Sequence, residues 1–293
     1  MSGVSGGREP TGRLRGVLAA ALTPMRDDLS IDREAFTAHC RRLLEAGCHG
    51  LAIFGTTGEA NSLSVAERVE AWERLVADGI PAQTLLPGTG ACALPDAVTL
   101  SQEALAVGTA GVLALPPFYY KGVTDDGLFR FFAELIERVG DDRLRLFLYH
   151  IPPMAVVGFT PELIRRLMDA YPGIVVGTKD SSGDGERIER ICREFPDLIV
   201  FAGTEKYLLD TLNWGGDGCI SATVNVTARQ AREVYDLWAA GEDASAAQAA
   251  LTERREYLDG FPTIPALKAL VGWKNLRPPL QPLDPELART ISS

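Results

Sequence analysis

Lys179 is the residue whose type and position most directly suggest chemistry. It follows Gly173-Ile174-Val175-Val176-Gly177-Thr178, a short, β-branched, uncharged run opened by Pro172. Such a run reads as a strand buried on both faces. An ammonium ion is costly to bury unless it is paired or gives up its proton. Burial therefore favours a free amine, and a free amine can attack a ketone to form a Schiff base. On this stretch alone a structural reading stays open, with the lysine reaching water at the strand mouth or pairing with Asp180. Lysine usage bears on the choice. Of the 29 basic residues only five are lysines: Lys121, Lys179, Lys206, Lys268 and Lys274. Arginine holds the other cationic positions, and it cannot lose its proton and so cannot form an imine.

The elements that would position this lysine can be read from periodicity. Strands are expected at 15–22, 50–54, 83–87, 111–115, 144–149, 173–179, 198–202 and 218–221. Helices are expected between them at 31–46, 64–78, 95–107, 124–139, 160–170, 184–194, 204–213 and 227–239. Local signals support the helix starts: Asp32 stands near one N-cap, Ser64 and Glu67 form a capping box, and Pro161 occupies a first helical position. Eight strands, each followed by a helix, imply a parallel sheet closed into a (β/α)8 TIM barrel. An open doubly wound sheet is the weaker alternative, because no G-x-G-x-x-G follows the first strand. Residues 1–13 read as a flexible leader, 14–240 as the barrel and 241–293 as a C-terminal helical extension broken by Pro262, Pro265, Pro278 and Pro279.

Barrel enzymes carry their chemistry at the C-terminal ends of the strands. The second strand ends in Gly55-Thr56-Thr57-Gly58-Glu59, whose hydroxyls and backbone amides could hold a carboxylate, or which could simply be a turn leading into the next helix. The fourth ends in Pro116-Pro117-Phe118-Tyr119-Tyr120-Lys121, a stiff aromatic loop suited to lining a pocket or packing on another subunit. The fifth ends in Tyr149-His150-Ile151-Pro152-Pro153, placing a phenol at the rim as a proton shuttle or merely a wetted tyrosine. The sixth ends in Lys179, the seventh in Gly203-Thr204-Glu205 and the eighth in Ile220-Ser221-Ala222-Thr223.

Composition narrows the classes. A net charge of −10 with no basic run argues against nucleic acid or an anionic membrane surface as partner. No apolar run is long enough to span a bilayer, and the N-terminus has no secretory pattern, so the cytoplasm is the expected compartment. The five cysteines (Cys40, Cys48, Cys92, Cys192 and Cys219) contain no C-x-x-C, and the three histidines show no metal spacing. Neither a metal nor an organic cofactor is expected.

Together, Gly55-Thr56-Thr57-Gly58-Glu59, Tyr149-x-x-Pro152 and Gly177-Thr178-Lys179-Asp180-Ser181-Ser182-Gly183-Asp184 resemble the dihydrodipicolinate synthase / N-acetylneuraminate lyase superfamily of pyruvate-dependent class I aldolases. The resemblance runs from about residue 16 through the C-terminal helices. It implies Lys179 as the Schiff-base lysine, Tyr149 as the proton shuttle, and Thr56 and Thr57 as holders of the pyruvyl carboxylate, Thr57 joining the hydroxyl relay. Tyr120, with Tyr119 next, matches the relay tyrosine that a neighbouring subunit supplies. Gly203 matches the glycine whose backbone lies against substrate, and Ile220 the residue whose carbonyl faces the lysine. A homotetramer built from tight dimers is also implied.

Substrate is where the chain departs from the best-known members. Lysine-pathway synthases carry Pro-x-Arg after the tyrosine, their arginine gripping the carboxylate of aspartate semialdehyde; here that position is Met154. Neuraminate lyases carry Gly-Ser-Thr-Gly-Glu and an acidic pair after the seventh-strand glycine, where this chain has Thr56 and Thr204-Glu205-Lys206. The motif form is nearest to aldolases of 2-keto-3-deoxy sugar acids or 4-hydroxy-2-oxo acids, which release pyruvate and an aldehyde. Glu205, Ser221 and Thr223 are candidate contacts for substrate hydroxyls or, equally, capping groups. The alternatives are 4-hydroxy-tetrahydrodipicolinate synthase and a Schiff-base dehydratase of a keto-deoxy sugar acid. From other classes come a non-catalytic barrel that binds 2-oxo acids and a phosphate-binding barrel resting on Gly215-Gly216-Asp217-Gly218.

Overall fold

A computed structural model describes residues 13–292. Seven parallel strands form one sheet: β1 (Gly16–Ala20), β2 (Gly50–Ala52), β3 (Val112–Ala114), β4 (Leu146–His150), β5 (Val175–Asp180), β6 (Ile199–Ala202) and β7 (Gly218–Ser221). Their spatial order is β2-β1-β7-β6-β5-β4-β3. Helices α1 (Arg33–Glu45), α2 (Val65–Ala77), α3 (Leu94–Ala106), α4 (Asp125–Val139), α5 (Pro152–Ala155), α6 (Pro161–Ala170), α7 (Gly185–Glu194), α8 (Leu208–Asn213) and α9 (Val224–Ala240) connect and surround the strands. This is a TIM barrel, as the alternation requires.

The expected third strand, 83–87, is the exception. A 3₁₀ turn occupies Ala82–Thr84, and residues 85–89 span the gap between β2 and β3 through single bridges, Leu51 with Leu85 and Gly88 with Leu113. The Leu86 and Gly88 amides donate to Leu51 and Ile53, and Thr89 donates to Leu113. Pro81 starts the turn and Pro87 has no N–H to donate, so the ladder cannot extend into a full strand. β2 is also shorter than expected, because Phe54 turns into the left-handed region (φ 50°). The residues after β4, where periodicity gave no element before 160, include the short helix α5.

Side-chain alternation separates two cores. Leu18, Ala20, Phe147, Tyr149, Phe201 and Ile220 point into the barrel, while Val17, Ala19, Leu146, Leu148, Val200, Ala202 and Cys219 pack outward against the helices. Gly177 lets Phe147 cross the interior, since a Cβ there would lie 2.3 Å from the Phe147 ring. At the bottom of the barrel Asp217 is fully buried and pairs with Arg13 (2.7 Å) and Arg15 (3.2 Å). Arg13, placed in the leader by sequence, is the first described residue; residues 1–12 of that leader lie outside the described range.

Three helices follow α9: α10 (Ser245–Asp259), α11 (Thr263–Leu270) and α12 (Pro285–Ser292). They join the barrel top through polar contacts as well as apolar ones. Lys268 of α11 forms an ion pair with Glu59 in which both side chains are fully buried, and its ammonium also donates to the Asn275 carbonyl (2.7 Å). The Arg277 amide donates to the same Glu59 carboxylate (2.9 Å). Removing one partner of such a pair leaves the other charge buried alone. Lys268→Ala is expected to cost about 3–5 kcal/mol and to lower Tm by on the order of 10 °C, measured by calorimetry; a shift under about 2 °C would show that the pair does not hold the helices in place.

Two histidines make stability depend on pH. His39 contacts Asn225 through Nε2 (2.8 Å) and Arg42 through Nδ1 (2.9 Å), and the Phe159 amide donates to His150 Nδ1 (3.0 Å). Burial, reinforced by Arg42 at His39 and by Arg187 at His150, lowers each from 6.5 to about 4. Between those values the unfolded chain takes up protons that the folded chain refuses. Stability is therefore expected to fall as pH drops from 6.5 toward 4, by up to about 1.4 kcal/mol per pH unit for each histidine. Thermal unfolding at pH 7.5 and pH 5 measures this directly.

Candidate active site

Parallel register brings the lysine and the tyrosine together. β4 pairs with β5 so that Tyr149 lies opposite Lys179, and β5 pairs with β6 so that Lys179 lies opposite Phe201. Tyr149 and Lys179 both point into the barrel, where adjacent strands stand only about 4.8 Å apart. Lys179 Nζ donates to the Tyr149 hydroxyl at 3.2 Å and lies 4.3 Å from the centre of its ring. Both side chains are buried. Thr178 and Asp180 point the other way: Thr178 donates to the Leu148 carbonyl (2.9 Å), and Asp180 pairs with Arg187 (2.7 Å) and accepts from the Ser182 amide (2.9 Å). The ion pair of Lys179 with Asp180 that the sequence left open is therefore not formed, since successive strand residues face opposite sides of the sheet.

Thr56 and Thr57 stand on the loop after β2, and together with Tyr149, Lys179, Ser181 and Gly203 they line a cavity of about 450 Å³ at the C-terminal end of the strands. Burial opposes ionisation of the Tyr149 phenol, but the Lys179 charge and hydrogen bonding with Thr56, Lys179 and Ser181 outweigh it and lower the phenol below its ordinary value. Ser181 is thus a neighbour of the Tyr149 phenol that sequence reading did not single out; its place two residues after Lys179 on the same strand end was the available signal. Gly203 packs against it, and a Cβ at Gly203 would fall 2.0 Å from Ser181 Oγ and 2.7 Å from its Cα.

Ile220 is fully buried inside the barrel, paired in register with Leu18. Tyr119 and Tyr120 do not line this cavity: they are 73 % and 74 % exposed, stacked edge to face at 5.3 Å on the loop after β3. Glu205 is fully buried, and its carboxylate accepts from Ser221, Thr223 and Thr227 and pairs with Arg255 of α10 (3.1 Å). All three hydroxyl partners thus tie strand ends to α9 and α10, and neither Glu205, Ser221 nor Thr223 lines the cavity. Arg255 and Asp259, which do, lie on a helix too remote in sequence to be connected with the strand-end motifs.

The Dihydrodipicolinate synthetase family model matches residues 13–291. The chain belongs to that family. It is 36 % identical over 279 residues to a DapA-like lyase of Chloroflexus aurantiacus, with 93 % of each chain covered. The crystal structure of dihydrodipicolinate synthase from Agrobacterium tumefaciens superposes with a TM-score of 0.88 at 35 % identity, covering 94 % of this chain and 96 % of that one. YagE, a prophage protein of E. coli crystallised in complex with pyruvate, superposes at 0.86 with 26 % identity over 95 % of this chain and 96 % of that one. Family membership makes the chain an enzyme of the pyruvate-dependent lyase and aldolase class. Among the described residues no helix is long and apolar enough to cross a membrane.

Gly203→Ala tests how tightly the turn after β6 is built. The added methyl must displace Ser181 or the backbone beside Lys179, and the expected outcome is at least a tenfold loss of kcat/KM with the fold retained by circular dichroism. Unchanged kinetics would mean that the close approach has no bearing on the site.

Proposed function

We propose that this enzyme is a class I aldolase that reversibly cleaves a 2-keto-3-deoxy sugar acid or a 4-hydroxy-2-oxo acid to pyruvate and an aldehyde. The observation that carries the reading is the buried Lys179 amine 3.2 Å from the Tyr149 hydroxyl, in a cavity also lined by Thr56 and Thr57. Lys179 attacks the C2 ketone, forming a carbinolamine that loses water to give the imine. Tyr149, its hydroxyl 3.2 Å from the Lys179 amine, takes and returns the protons of these steps. The protonated imine accepts the electron pair of the breaking C3–C4 bond while the C4 hydroxyl passes its proton to Tyr149 and becomes the aldehyde carbonyl; the enamine then takes a proton at C3, and water hydrolyses the regenerated imine to pyruvate and free Lys179. Thr56 and Thr57 hold the carboxylate, the Gly203 backbone lies against the substrate, the Ile220 carbonyl faces Lys179, and Tyr120 completes the relay in a second copy of the chain, within a homotetramer.

The second reading, 4-hydroxy-tetrahydrodipicolinate synthase, draws support from relatives of that name, such as the one from Methanopyrus kandleri, 35 % identical over 78 % of this chain and 76 % of its own. Against it stands Met154. That side chain lines the cavity and is 64 % exposed, in the place where a guanidinium would grip a semialdehyde carboxylate. A Schiff-base dehydratase uses the same imine and differs only in the bond broken.

Borohydride reduction in the presence of pyruvate, followed by peptide mass spectrometry, is expected to place a reduced pyruvyl adduct on Lys179 and to find none in Lys179→Arg. Tyr149→Phe is expected to slow turnover by about 10²–10⁴-fold while still allowing slow trapping. Absence of an adduct on the folded native enzyme would remove the aldolase reading. Release of pyruvate from a panel of 2-keto-3-deoxy acids separates cleavage from dehydration, which would yield a deoxygenated oxo acid with all its carbons.

A further inference from the structure

α10 brings a second set of polar groups to the cavity. Arg255 and Asp259 stand one turn apart on that helix, and both line the cavity with Thr204 and Lys206. Arg255 is firmly held: Nη1 lies 3.1 Å from Glu205, 3.1 Å from Ser221 Oγ and 3.3 Å from Thr223 Oγ1, and Nε donates to Asp259 Oδ1 at 2.7 Å. Among the described residues, Arg255 Nη2 and Asp259 Oδ2 have no hydrogen-bond partner. A fixed pair of N–H donors therefore stands beside a free carboxylate acceptor, in a cavity that Thr204 also lines.

We propose that Arg255 and Asp259 form a subsite that recognises neutral hydroxyl groups on the aldehyde part of the substrate, and that this subsite disfavours a second carboxylate or a phosphate. The inference rests on the aldolase reading of Lys179 and adds the substrate class. Charge decides between ligands. Arg255 is already faced by two carboxylates, Glu205 and Asp259, and Lys206 is taken by Glu256 at 2.9 Å. This wall of the cavity has no surplus positive charge to hold an anion, and Asp259 would repel one. A hydroxyl both donates and accepts, so one hydroxyl can donate to Asp259 Oδ2 while it or its neighbour accepts from Arg255 Nη2. A site built to hydrogen-bond hydroxyls rejects the analogue lacking them, because its own groups are then left unpaired. Met154 on the same cavity supplies no cation that would reverse the balance.

The test runs the reaction in the addition direction, pairing pyruvate with glyceraldehyde, with propionaldehyde of equal carbon count, or with succinic semialdehyde. The native enzyme is expected to prefer glyceraldehyde to each of the others by at least tenfold in kcat/KM. Asp259→Asn, which preserves shape, is expected to raise KM for glyceraldehyde about tenfold and to change the propionaldehyde reaction by less than twofold. Arg255→Lys, which keeps a cation beside Glu205 but lacks the second N–H group, is expected to act in the same direction. Borohydride trapping of pyruvate is expected to be unaltered in both variants. With trapping intact, equal use of propionaldehyde, preference for succinic semialdehyde, or an equal loss on every aldehyde in Asp259→Asn overturns the subsite and leaves the aldolase reading standing. Failure of trapping in the native enzyme overturns the aldolase reading itself, and the subsite with it.

Discussion

The register of β4 against β5 is the constraint on which the rest of the site depends. A parallel ladder fixes which residues stand opposite one another, and side-chain alternation fixes which of them face inward. With Tyr149 opposite Lys179 and both inside, the amine and the phenol meet without any loop having to carry them there. A slip of one residue would send Lys179 outward among the helices and bring Thr178 or Asp180 into the barrel. Phe147, Phe201 and Ile220 fill the interior and hold that register. The core that stabilises the barrel is thus the same core that orients the chemistry.

Two buried carboxylates attach the C-terminal helices to this arrangement. Glu59, from the loop bearing Thr56 and Thr57, is held by Lys268 and by the Arg277 amide, while Glu205, next to Gly203 and Thr204, is held by Arg255. Each lies on a loop that lines the cavity, and each takes its cation from a helix beyond the barrel. Buried pairs of this kind contribute little net stability compared with apolar packing, but they are intolerant of misplacement. They set where the helices sit, and so which groups α10 and α11 present to the mouth.

The elements of the barrel were legible because their signals are local. β-branched runs, Asp32, Ser64 with Glu67, and Pro161 mark strand and helix positions to within a few residues of those observed. The run between two prolines has strand composition, but the third strand is reduced to single bridges because Ala82–Thr84 winds into a 3₁₀ turn and Pro87 lacks the N–H that would continue the ladder. Phe54 shows the same limit, since nothing in its type announces a left-handed turn.

Lys179, Tyr149, Thr56 and Thr57 could be named from sequence because each stands at a strand end, and a barrel gathers its strand ends on one face. Ser181 interacts with the Tyr149 phenol through a geometry that only the folded strands define. Arg255 and Asp259 reach the cavity because Glu205 draws α10 against the barrel, a contact across 50 residues that no periodicity records. Sequence by itself determined that a lysine closes an apolar strand, since residue type and strand pattern are local properties. The tertiary structure alone decided which side chains surround the cavity, because long-range packing and charge pairing choose among surfaces that look alike along the chain.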